Sequence, residues 1–362
     1  MQGGQAEDTG AETQVVPTSG HAAHTPISPQ HHPTPSPGRN PRGTHPNLAP
    51  VTGGGAAGAT CHQQTTGRYR GTVPPPADDH ESRHVQWLQQ PALDRPVLLT
   101  AFEGWNDAGD AASTAARYLR DEWEATPFAE IDAEEFFDFT ATRPRVSFDD
   151  EGQRQIEWPA NTLSLARVRE GLDVVILSGT EPQLRWRTFC RQIIDVARAI
   201  DARMVITLGA LLAEVPHTRP TPVFGAAYDE RIVADLGLLS STYEGPTGIV
   251  GVLHDECHHA GLDSASLWAA VPTYVPAAPS PKAALALVQR FTRLVDTTVP
   301  VAALELASAS YERQVTSLVE DDEETADYVN RLEERHDSDD SPDGTRVVSL
   351  VEEVERFLRG QP

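Results

Sequence analysis

Two short, uninterrupted apolar runs separated by an amphipathic stretch constrain this chain more than any other feature. Asp173–Ser178 (DVVILS) and Met204–Leu208 (MVITL) are too short for helices and too apolar for half-exposed strands. Between them, Leu184–Ile200 carries Phe189, Ile193, Val196, Ala197 and Ile200 at helical spacing. Strand, helix and strand at this spacing predict a βαβ crossover, whose parallel strands need helices to cover them. Gly179-Thr180-Glu181-Pro182 breaks the chain after the first run, and Gly209 ends the second.

The same grammar recurs on both sides. Val97–Phe102 (VLLTAF) reads as a buried strand stopped by Glu103-Gly104. Asp107–Leu119 then reads as a helix with Ala111, Ala112, Ala115, Ala116 and Leu119 on one face. Phe136–Phe139, Val146–Asp149 and Gln155–Trp158 read as short strands, the last two joined by a turn at Asp150-Glu151-Gly152. Further on come a helix over Ile249–Ala260 stopped by Gly261, and a strand over Ser266–Val271. Lys282–Val295 is an amphipathic helix introduced by Pro279-Ser280-Pro281. Ala302–Leu318, Ala326–Leu332 and Val347–Leu358 read as helices with an acidic break over Asp337–Gly344. The expected architecture is an α/β open sheet in three layers, with helices on both faces, spanning residues 85–300. A helical C-terminal extension over residues 301–362 follows.

Residues 1–84 are different material, holding 12 of the 29 prolines and 8 of the 13 histidines with no apolar run. Such a segment cannot bury enough surface to offset its ordering entropy, so it reads as a disordered extension or an over-long start. The net charge of -24 opposes phosphate backbones and anionic lipid, so no nucleic-acid or membrane-surface partner is expected. No apolar run is long enough to span a membrane, and no basic-then-apolar leader opens the chain. Three scattered cysteines, Cys61, Cys190 and Cys257, suit a reducing cytoplasm.

Chemistry is expected, if anywhere, at the junctions that end the buried strands, where open α/β sheets bind ligands. Phe102–Asp110 (FEGWNDAGD) offers Gly104 and Gly109 for unusual dihedrals, and Asn106 and Asp107 as acceptors or a helix cap. It is neither a GxGxxG nor a Walker loop, so it does not read as a nucleotide-phosphate site. Glu181 is either a general base or amine ligand, or a first-turn acid placed by the helix dipole. His217, in EVPHTRPTPV, is a candidate to join these loops. Gly104, Asn106, Asp107, Gly109, Glu181 and His217 are therefore the ligand-site candidates; no catalytic residue, metal ligand or cofactor is assigned. His254, Cys257 and His258 have zinc-like spacing, but Ile249, Val250, Leu253 and Cys257 form the apolar stripe of the same helix, so packing is the expected role. Lys282 is the only lysine, and no G-x-S-x-G elbow is present.

Several stretches in order carry a family resemblance: FEGWNDAGDAAS at 102–113, EEFFDF with Arg143-Pro144 at 134–144, and LGALLAEVPHTRPTPV at 208–223. To these are added YEGPTGIVGVLH at 243–254, LWAAVPTYV with PSPKAA at 267–284, and VEDDEETADYVNRLEE at 319–334. Together they resemble the actinobacterial branch of the proteasome assembly chaperone 2 family over nearly all of 85–362. The resemblance implies a sandwich similar to nucleoside phosphorylases and some peptide hydrolases, and a non-enzymatic protein that binds other proteins, proteasome subunits among them. Family chaperones outside the actinobacteria often dock through a C-terminal hydrophobic–Tyr–any tripeptide. This chain ends Leu358-Arg359-Gly360-Gln361-Pro362, so docking through its tail is not expected. Two alternatives stand beside the chaperone reading: a hydrolase or phosphorylase-like enzyme, and an oligomeric scaffold. Self-association as a homo-oligomer is expected.

Overall fold

The computed structural model describes residues 84–149, 151–238 and 244–338. The segment read as a tail lies outside them but for His84, as does the helix expected over Val347–Leu358. The βαβ unit is present: β7 (Leu172–Thr180), α2 (Trp186–Ala199) and β8 (Met204–Ala213). The crossover passes over one strand, because β2 (Val97–Glu103) lies between β7 and β8 and runs parallel to both. β10 (Ser264–Pro272) extends the parallel group beside β8. Antiparallel strands finish each side. β6 (Asn161–Arg169), β3 (Thr126–Ile131) and β1 (Val85–Trp87) flank β7, and β9 (Val223–Ala226) flanks β10. The order across the eight strands is β1-β3-β6-β7-β2-β8-β10-β9.

The central strands are buried on both faces, as their unbroken apolar runs require. On one face Val97, Leu99 and Ala101 of β2 meet α1 (Ala111–Glu122) and α5 (Pro281–Leu294). The alanine face of α1 is fully buried, and its small side chains let the helix lie close to the sheet. On the other face Leu98 and Phe102 meet α2 and α4 (Ile249–His259). There Phe189 sits edge-on to both Phe102 and Phe136, with ring centroids 5.8 and 5.2 Å away. Across the β8–β10 pair, Gly209 faces Trp268, whose ring occupies the space a side chain at 209 would need. Gly209 therefore does not end β8, which runs four residues further.

α6 (Ala302–Glu320) packs on α5, and α7 (Glu323–Ser338) packs on α6. Tyr311, Val315, Val319 and Val329 bury a small separate core there with Tyr274 and Val275. The expected fold class holds: an α/β open sheet with helices on both faces and a helical C-terminal region. The strand read over Phe136–Phe139 is instead a series of turns: Phe136 N–H donates to Ala133 O at 3.1 Å, and Phe136 O accepts from the amides of Gln183 and Leu184. A two-stranded arm, β4 (Arg145–Phe148) and β5 (Arg154–Glu157), stands apart from the main sheet. Replacing Phe189 by Ala removes the ring that joins β2, the 136 turn and α2. It is expected to cost about 3–5 kcal/mol, read as a fall in the urea midpoint of the full chain.

Candidate functional site

Gly104 ends β2 with φ +147, a conformation that side-chain-bearing residues avoid. A Cβ there would lie 2.8 Å from the Cβ of Glu181, so the glycine makes room for that residue as well as for the turn. Glu181 N–H donates to Glu103 O at 2.8 Å, carrying the β2–β7 ladder one step beyond the strands. The Glu181 carboxylate then bridges two segments. Its Oε2 accepts the Trp105 N–H at 3.0 Å, and its Oε1 accepts the Ile249 N–H at 2.9 Å, at the first turn of α4. Gly248, the residue before α4, is packed so tightly that a Cβ would lie 2.8 Å from Glu181 Oε1 and closer still to Asn106 Oδ1.

Asn106 is buried, with Oδ1 left without a hydrogen-bond donor, while its backbone carbonyl accepts from Ala210 N–H at 2.8 Å. Asp107, in a bridge with Ala210, turns toward the other face of the sheet and caps α1. Its Oδ1 accepts from Ala112 N–H at 2.7 Å and Ser113 N–H at 3.2 Å, reaching over the short 3-10 turn Ala108–Asp110. Its Oδ2 is buried with no partner. Burial lifts the Asp107 carboxyl to about 6, against the pull of the Ser113 and Ala112 hydrogen bonds.

Gly104, Asn106 and Glu181 are thus brought together around Gly248, while Asp107 is spent on a helix cap. Gly109, at φ +58, serves a different junction: its carbonyl accepts from Ser280 N–H at 2.7 Å, and a Cβ would crowd Ser280 and Ala278. His217 shares no partner with the rim around Glu181. Its Nδ1 lies 2.8 Å from Tyr274 Oη and its Nε2 lies 3.0 Å from Thr316 Oγ1, on α6. Thr316 Oγ1 donates its own hydrogen to Glu312 O at 2.8 Å and so accepts from His217 Nε2, which puts the ring hydrogen on Nε2 and leaves Nδ1 to accept from Tyr274 Oη. Lys282 closes the network, donating to His217 O at 2.5 Å and Glu312 Oε2 at 2.6 Å. That ion pair occupies the chain's sole lysine.

Three residues that complete these arrangements were not singled out from sequence: Gly248, Trp105 and Tyr274. For Gly248 a signal existed, a glycine directly ahead of an apolar helix. The zinc-like trio does not converge: Cys257 faces the core with its thiol pushed up to about 12 by burial, and the His254 ring packs on Tyr228, 4.9 Å between centroids. Burial holds His254 down at about 4, hence neutral. Among the described residues no group of three or more His, Cys, Asp or Glu is placed to hold a metal ion, and no helix is long and apolar enough to cross a membrane.

Asp107 and His217 give opposite pH dependences. The raised Asp107 pKa means the folded chain binds a proton before the unfolded one does, so this contribution is lost as pH rises from about 4 toward 6. His217 is held below its ordinary value by burial first and by Lys282 second. Its contribution is intact above about 6.5 and is lost as pH falls below that. Lowering pH from 7 to 5 is therefore expected to destabilise Asp107→Asn more than the wild type, by about 1 kcal/mol. The same change should destabilise His217→Leu less than the wild type; urea unfolding at the two pH values measures both.

Residues 101–319 match the model of the PAC2 family. No curated protein matches the chain. Among solved structures, a PAC2 family protein from Streptomyces avermitilis is 46% identical with a TM-score of 0.61, over 65% of this chain and 99% of that one. A proteasome-assembly chaperone homologue from Mycobacterium tuberculosis is 45% identical with a TM-score of 0.59, over 64% and 99% of the two chains. An archaeal proteasome activator from Pyrococcus furiosus, 17% identical with a TM-score of 0.54 over 65% and 97%, shares the fold. These matches bear out the resemblance carried by the stretches from Phe102 onward. Spanning more than half of the sequence and taking in the whole rim from Gly104 to Ile249, the family match places this chain in the PAC2 family, beside actinobacterial members.

Proposed function

We propose that this chain acts by binding protein rather than by catalysis, as a self-associating cytoplasmic assembly factor whose partners include proteasome subunits. One observation carries the reading. Two helix N-termini at this edge, of the kind that in an open α/β sheet seat an anionic substrate, are occupied by the chain's own carboxylates. Glu181 fills the N-terminus of α4 and Asp107 that of α1. An anionic substrate entering this rim would have to displace a carboxylate and then face its charge. The thiols of Cys190 and Cys257 are buried and held protonated, far from the thiolate that nucleophilic chemistry uses.

Apolar surface is instead presented outward. On the β4–β5 arm, Val146 stands opposite Ile156 and shares a strand face with Phe148, and all three are exposed, Phe148 at 69%. Trp158, at the base of the arm, is half-exposed and packs edge-on to Phe139 at 4.8 Å. A contiguous apolar face of this kind on a two-stranded ribbon suits protein contact, either with a second copy or with another partner. The 45% identical relative bearing the name of a proteasome-assembly chaperone homologue supports the same direction.

The test is affinity capture from the native host with the tagged full chain, together with sedimentation analysis of the purified protein. Proteasome α subunits are expected in the captured fraction, and the wild type is expected to sediment as an oligomer. The double variant Val146→Asp, Phe148→Asp should retain its circular dichroism and lose at least tenfold of one or both interactions. A monomeric wild type that recovers no proteasome component would overturn the reading.

A further inference from the structure

We propose that the rim around Glu181 is a receptor for one cationic, N–H-donating side chain of a protein partner, arginine fitting it best; this rests on the protein-binding reading above. The first ground is the sign of what is left unsatisfied. Among the described residues, the buried side-chain atoms without hydrogen-bond partners at the carboxyl ends of β2 and β7 are Asn106 Oδ1, Asp107 Oδ2 and Asn161 Oδ1. All three are acceptors, so the group that completes this edge must donate.

Two of these atoms lie on the face where Glu181 lies. Asn106, 5% exposed, projects toward Gly248 beside Glu181 Oε1. Asn161, paired in register with Gly179, occupies the space above that glycine, and its Nδ2 donates to Thr180 O at 3.2 Å, which leaves its Oδ1 as the free atom. The Glu181 carboxylate is only partly buried, and each of its oxygens has so far received one backbone hydrogen, leaving lone pairs for further donors. The floor of the strip is glycine at 104, 179 and 248, and a Cβ at any of them would collide with the atoms now there.

Access is from the Gly104–Trp105 side, where both residues are exposed. Trp105 is 52% exposed, and its backbone amide donates to Glu181 Oε2 at the mouth of this strip. A carboxylate with lone pairs left on both oxygens selects a planar guanidinium, whose forked N–H groups can donate to it and to a neighbouring acceptor at once. Nearby arginines are engaged already: Arg117 pairs with Glu103 at 2.6 Å, and Arg185 pairs with Glu135. The donor must therefore come from outside these pairs, and the net charge of -24 favours its approach.

The experiment titrates N-acetyl-arginine N-methylamide into the full chain and follows the Trp105 indole N–H and the Gly248 amide by NMR, with Trp105→Phe used to assign the indole. Saturable shifts of both signals are expected, with the neutral citrulline analogue binding at least tenfold more weakly and inorganic phosphate moving neither. Glu181→Gln should weaken the arginine probe at least tenfold. Trp105→Ala, which alters only an exposed side chain, should weaken it severalfold without changing the urea midpoint, so a folding defect in Glu181→Gln would not hide the answer. Equal response to arginine and citrulline, preferential response to phosphate, or unchanged binding in both variants would overturn the proposal. If the wild type captures proteasome subunits but ignores the arginine probe, this inference alone falls. If it binds the probe but neither captures them nor self-associates, the protein-binding reading falls and the cation site stands.

Discussion

The carboxylate of Glu181 holds three chain segments in place at one edge of the sheet, and the arrangement of that edge follows from it. The backbone N–H of the same residue carries the end of β7 on to Glu103 O, while the carboxylate grips the turn after β2 through Trp105 and fixes the start of α4 through Ile249. Two charge-assisted bonds of this kind contribute about 1.5–3 kcal/mol each. Their geometry is the larger consequence. A carboxylate can enter the first turn of α4 only if nothing projects from the residue before it or from the residue beside it on β2. This is why glycine stands at 248 and at 104. α4 in turn supplies Ile249, Val250 and Leu253 to the core on the face that it shares with α2. The same side chain therefore sets an electrostatic closure and a packing contact.

The fold was legible where burial was symmetrical. β7, β8 and β2 are covered on both faces, so their sequences become unbroken apolar runs, and α2 and α5 show one apolar stripe each. Where burial is one-sided or local, the signal weakened. β3 carries Pro127 and a register shift beside it, and β6 mixes Arg167 and Arg169 with Leu163 and Leu165. The Phe136–Phe139 segment has the composition of a strand, yet its aromatic rings are anchored beside α2 while its backbone closes on itself in turns. Gly209 looked like a stop because glycine weakens strands. Its real cause is a cross-strand neighbour, Trp268, more than fifty residues away, which no local pattern contains.

The candidate site divides along the same line. That Gly104, Asn106 and Glu181 meet was readable because adjacent parallel strands end at one edge and their junctions are necessarily neighbours. Asp107 was read as either acceptor or cap, and capping prevailed because α1 begins only after the 3-10 turn and its amides reach back to the carboxylate. His217 follows β8 at the same edge, yet its loop turns toward the C-terminal helices. The choice was made by Tyr274, Thr316 and Lys282, which are 57, 99 and 65 residues from it in sequence. Loop direction is a tertiary property, and only the partner side chains encode it.

Family membership and this geometry bear on each other. A sheet with parallel strands, glycine junctions and helix N-termini at its carboxyl edge has the parts from which anion-binding enzymes are made. Here two of those N-termini are turned inward: Asp107 accepts from the first turn of α1, Glu181 of the β7–α2 junction accepts from Ile249 of α4, and the fixed charge left beside them is negative. A fold can move from chemistry to recognition in this way without changing its layers, since filling an anion seat from within both stabilises the helix and reverses the sign of what the edge attracts. In the proposed reading, the apolar arm supplies area and the acidic, glycine-floored rim supplies charge selectivity. Area without charge would bind many surfaces weakly, and charge without area would be screened by salt.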